Sequence, residues 1–160
     1  MLPLVPPTLV YESAFCSTPA TITTAGTIIN TNVDTVTYSD LQSCSWSITA
    51  PDGLYPTITF SSFATEPSFD YVRVYDGSSP NSPLLFIQSG SALDLPTVTG
   101  SQSTMTVTFT SDSSIVYAGV VAVVGFSEQA GTERPPPVTD PSEPLSTSIL
   151  DLIQLCWLSW

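Results

Sequence analysis

The sequence contains no lysine and no histidine, and its only cations are Arg73 and Arg134. Against them stand 14 acidic residues, for a formal net charge of −12. Such a chain repels nucleic-acid phosphates and anionic lipid head groups, so neither is an expected partner. Without histidine the commonest general base and zinc ligand is missing, and without lysine as well nothing is left to activate a serine or cysteine nucleophile. The three cysteines, Cys16, Cys44 and Cys156, lie too far apart for a Cys-x-x-Cys metal or redox motif. No apolar run reaches the roughly 18 residues of a membrane-spanning helix. The opening "MLPLVPPTLVYESAF" is apolar but has no basic segment and carries Pro3, Pro6 and Pro7, so it does not read as a signal peptide.

What remains favours β-structure. The chain has 160 residues, 42% of them hydrophobic, enough for one core and one ordinary domain with tails. Only 10% are charged, so serine and threonine supply most of the polar surface. Short β-favouring runs alternate with turn clusters: "TITTAGTII", "SWSIT", "PTITFSSF", "DYVRVYDG", "PLLFIQ", "TMTVTFTS" and "AGVVAVVGF". The expected fold is all-β, an antiparallel two-sheet β-sandwich over residues 15–126. Residues 1–14 form an N-terminal extension. Residues 127–148 are a Pro-rich linker of extended character, and 149–160 an apolar tail carrying the unpaired Cys156. A disulfide between Cys16 and Cys44 would close a loop worth about 3.5 kcal/mol and implies an oxidising compartment. Asp52-Gly53 is read as a hairpin signal and Asp76-Gly77 as a turn.

Period two assigns faces. "TMTVTFT" turns Met105, Val107 and Phe109 to the core, and Trp46 with Ile48 does the same in its strand. In "DYVRVY" the valines face inward, while Tyr71, Arg73 and Tyr75 face outward, as a cross-strand aromatic cluster or a ligand strip suited to sugar or protein contact. Asp70 shares the parity of the valines, where an uncompensated charge is costly. Glu66 and Asp70 frame a tight loop around Pro67, and Asp112 ends the strand "TMTVTFTS". If both segments open on one end of the sandwich, these three carboxylates converge with the carbonyls of Ser113 and Ser114, a hard oxygen set that suits Ca²⁺. Capping or turn duty for the same acids is the plainer alternative.

From residue 15 to residue 126 the chain resembles the CUB domain family. The resemblance rests on the order of Cys16, "CSWSI" at Cys44, "APDG" at Ala50, "ITFSSF" at Ile58, "DYVRVYDG" at Asp70, and "FTSDS" at Phe109 followed by Gly119 and Ala122. It implies an extracellular or cell-surface, jelly-roll-like sandwich that recognises proteins and catalyses nothing. It also implies a Ca²⁺ site at Glu66, Asp70 and Asp112, supported by Tyr38, whose metal-held acids accept a lysine or arginine of a cationic partner. A carbohydrate-binding sandwich or a metal-free spacer are the alternatives. The second disulfide of typical members is missing, with Phe69 and Ser89 near the places of its cysteines.

Overall fold

The side chains of the strands alternate between a shared interior and solvent, and this closes two five-stranded sheets on each other. The computed structural model describes residues 13–16, 20–32 and 35–131. The tail, Cys156, Arg134 and most of the N-terminal extension lie outside them. The strands are β1 (Ser13–Phe15), β2 (Ala20–Ile22), β3 (Ile28–Asn30), β4 (Ser43–Thr49), β5 (Tyr55–Ala64), β6 (Tyr71–Tyr75), β7 (Leu84–Gln88), β8 (Val98–Thr99), β9 (Thr104–Thr110) and β10 (Gly119–Ser127). One sheet has the order β1-β3-β10-β5-β8 and the other β2-β4-β9-β6-β7. Among the described residues there is no helix, and hence none long and apolar enough to cross a membrane.

The core is the meeting of the inward faces. Trp46 and Ile48 from β4, Val72 and Val74 from β6, and Met105, Val107 and Phe109 from β9 pack against Ile58 and Phe63 of β5 and Val120, Ala122 and Val124 of β10. The assigned faces hold, as period two requires of a strand with one side buried. β5 breaks that period: Ile58 and Phe63 have opposite parity yet are both buried. The cause is a bulge, since Ser62 pairs with Val121 but Phe60 with Ala122, which leaves Ser61 as an extra residue. An extra residue bends a strand and re-aims the side chains beyond it. Here it precedes the turn that carries Glu66.

Two expectations are corrected, and the antiparallel sandwich is borne out with two parallel pairings. "TITTAGTII" is two strands, β2 and β3, in different sheets, because Gly26 turns the chain with φ of 85°. Asp52-Gly53 does form a turn, in which the Leu54 N–H donates to the Pro51 carbonyl (3.0 Å), but it is no hairpin: it carries the chain from β4 in one sheet to β5 in the other. The sheets are antiparallel except where β1 pairs with β3 and β2 with β4, both parallel. The expected bond between Cys16 and Cys44 is formed.

Candidate metal centre

Strand register decides which acids meet. β6 begins at Tyr71 opposite Thr110, the last residue of β9, so Asp70 and Asp112 sit at the same end of the sandwich. β5 ends at that pole too, where Ala64 pairs with Gly119, and the chain then turns through Thr65 and Glu66. One carboxylate oxygen from each of Glu66, Asp70 and Asp112 lies within 4.8 Å of the other two.

Asp70 is fully buried, yet both of its oxygens are engaged. Oδ1 accepts from the backbone N–H of Asp112 (2.9 Å), and Oδ2 accepts a short hydrogen bond from the Tyr38 hydroxyl. The same hydroxyl accepts from the Glu66 N–H (3.0 Å), so Tyr38 ties two of the acids together. Its ring is held edge-on to Phe109, centroids 5.1 Å apart. Burial, and next the neighbouring Asp70 carboxylate, push the phenol well above its ordinary range, so it stays a donor.

Glu66 is the exception. It is 6% exposed, and its Oε2 is buried without a hydrogen-bond partner. Burial first, then the charges of Asp112 and Asp70, raise its carboxyl above the usual glutamate range. A buried carboxylate aimed at two others lacks its counter-charge, and buried polar groups without partners are rare in native proteins.

Apart from Ser114, the supports come from residues that carry no sequence motif. Thr65 is wholly buried; its hydroxyl donates to the Asp70 carbonyl (2.9 Å) and accepts from the Gly90 N–H (3.0 Å), closing the acid turn against the end of β7. Where the resemblance would place a second disulfide, near Phe69 and Ser89, the Ser68 N–H donates to Ser89 Oγ (3.0 Å) and Phe69 is exposed. The Leu41 N–H donates to the Asp112 carbonyl (2.6 Å). Ser114 donates its N–H (2.8 Å) and hydroxyl (3.3 Å) to Asp112 Oδ1, which orients that carboxylate, and Ser113 lies exposed in the same turn. The only sequence signal for Thr65 is its place immediately before Glu66, at the entry to the short turn that joins two acids.

The outward strip is used within its own sheet. The Arg73 guanidinium lies 4.7 Å over the Tyr71 ring and donates to Thr110 Oγ1 (3.2 Å), while all three of Tyr71, Arg73 and Tyr75 are half-buried. At the other end of β6, Asp76 accepts from the N–H of Ser101 (2.8 Å), its hydroxyl (2.6 Å) and the N–H of Gln102 (3.1 Å). That acid holds a loop, in keeping with the turn expected at Asp76-Gly77.

The donor set at the first pole fits a hard cation. Oxygens up to 4.8 Å apart can share one ion at the Ca²⁺–oxygen distance of about 2.3–2.6 Å, since two such bonds span about 5 Å.

A family model described as CUB domain matches residues 16–123. Cubilin of Sus scrofa is 34% identical over 128 residues, covering 69% of this chain and 4% of cubilin. Among solved structures, the full extracellular region of zebrafish Gpr126/Adgrg6 matches with a TM-score of 0.60 and 26% identity, over 71% of this chain and 15% of that one. The MASP-1 CUB2 domain bound to Ca²⁺ matches with a TM-score of 0.52 and 19% identity, over 66% of this chain and 96% of that domain. This chain therefore spans a small fraction of the cubilin and Gpr126 chains it matches.

Proposed function

The chain belongs to the CUB domain family, generally extracellular protein-interaction modules, and from that premise we propose that it is a calcium-dependent recognition module. The Cys16–Cys44 disulfide and the extracellular setting of its Gpr126 relative place it outside the cell, secreted or at the cell surface.

In this reading Glu66, Asp70 and Asp112 hold the ion, Tyr38 and the Asp112 N–H fix Asp70, and Ser114 fixes Asp112. The carbonyls of Ser113 and Ser114 are further candidate ligands. The observation that carries the reading is Glu66 Oε2, buried beside two other acids and unpartnered by the protein. A fold neighbour solved with Ca²⁺ is consistent with it. The ion supplies positive charge at a hard oxygen site. Three carboxylates against a divalent ion keep one net negative charge, which attracts a partner's lysine or arginine without displacing the metal.

Recognition rather than catalysis is supported by where the open space lies, away from the three acids. A cavity of about 710 Å³ lies at the other pole, beside Asp76, Ser101 and Gln102, and the Asp76 oxygens there are already occupied. The test is calorimetric titration of Asp112→Ala with Ca²⁺. The variant should remain folded and give no binding heat; heat equal to that of the unaltered protein would contradict the assignment.

A further inference from the structure

Seven large hydrophobic residues are exposed among those described, and five of them crowd the acid pole. Leu41 is 74% exposed, Phe69 and Ile115 59% each, and Tyr117 39%. Each is tied to the site through its backbone. Leu41 donates to the Asp112 carbonyl, and Phe69 immediately precedes Asp70. The Ile115 carbonyl lies 3.5 Å from the Tyr38 hydroxyl, and the Tyr117 carbonyl accepts from the Tyr38 N–H (3.2 Å). Val36 joins them through Asn32, whose side-chain amide donates to the carbonyls of Val36 (3.4 Å) and Ala118 (2.7 Å).

Single exposed apolar side chains are ordinary, but five on the segments that meet at one charged site are not. Leu41 and Ile115 are moreover held at φ of 55° and 49°, a left-handed conformation uncommon for any residue but glycine and most strained for the β-branched Ile115. Both are exposed, on segments whose backbones touch Asp112 and Tyr38.

Building on the metal reading above, we infer that these residues form an apolar collar around the acids, and that the partner is a protein segment whose lysine or arginine is flanked by apolar side chains. Charge selects that occupant. An anionic lipid surface is repelled by a net charge of −12, and so is a second copy of this chain, whose one described cation, Arg73, is stacked on Tyr71. A cation flanked by apolar groups answers both features: the charge seeks the acids, and the flanks cover the collar and exclude water around the contact.

The test uses the full chain in millimolar Ca²⁺ with immobilised synthetic peptides that carry a central lysine flanked by leucines, the same lysine flanked by serines, or norleucine flanked by leucines. The leucine-flanked lysine should bind about tenfold more tightly than either other peptide. The double variant Phe69→Ser, Ile115→Ser should lose the preference for leucine flanks while keeping the rise in melting temperature produced by Ca²⁺. With that rise intact, equal binding of the two lysine peptides or a flank preference that survives in the variant overturns the collar, equal binding of the norleucine peptide overturns the pairing of a cation with the acids, and the bound ion stands in each case. If Ca²⁺ produces no rise in the unaltered protein, the metal reading falls and the collar with it.

Discussion

The two poles of this sandwich each bury aspartate, and they treat it differently. Asp76 meets three donors from a neutral loop and is satisfied by the protein alone. Asp70 is also satisfied, but the site around it holds two further acids, and Glu66 brings an oxygen that nothing in the protein answers. In the proposed reading the same residue type is structural at one end and helps to hold a cation at the other. What separates them is the count of donors against carboxylate oxygens.

The largest break in that contrast should come from Asp70→Ala. It strips the acceptor from the buried Tyr38 hydroxyl and the Asp112 N–H, so the metal-free protein should lose about 2–4 kcal/mol in urea denaturation and lose its calcium response as well. Asp76→Ala should cost less, about 1–2 kcal/mol, because its donors lie nearer solvent, and should leave the calcium response intact. A calcium response lost in Asp76→Ala would merge the two poles and undo the comparison.

A smaller effect is pH dependence. In the metal-free protein the Glu66 carboxyl is raised above the ordinary 4.5, by burial first and then by Asp112 and Asp70. Between 4.5 and the raised value the folded chain keeps a proton that the unfolded chain has released. The stabilisation is therefore complete below that window and is lost as pH rises through it. Melting temperature without metal should fall over this range, and the fall should be shallower in Glu66→Gln and at saturating Ca²⁺. A slope identical in all three would show that Glu66 stays ionised in the folded state.

Much of the sandwich was legible because strand parity is a local property: Met105, Val107 and Phe109, or Val72 and Val74, announce their faces within a few residues. β1 and β8 were too short to signal, and nothing but Gly26 divides Thr21 from Ile29, since both halves favour strands. The Ser61 bulge shows in no composition; it exists only as a mismatch of register between β5 and β10. The acids were legible as candidates through their spacing and the family resemblance. Their convergence was legible only as a condition and through the resemblance, because residues 38, 66, 70 and 112 share no local pattern and meet only when β5, β6 and β9 end at one pole. The collar was invisible for a related reason: the exposure of Leu41 and Ile115 comes from left-handed turns that neither residue type favours.

Titration of the unaltered protein with Ca²⁺, monitored by calorimetry and by thermal melting, probes the three acids most directly. We predict one binding event per chain and, at a hundredfold excess over Kd, about 2.7 kcal/mol of added stability, read as a rise in Tm of roughly 10 °C. No heat and an unchanged Tm at millimolar Ca²⁺ would contradict the account.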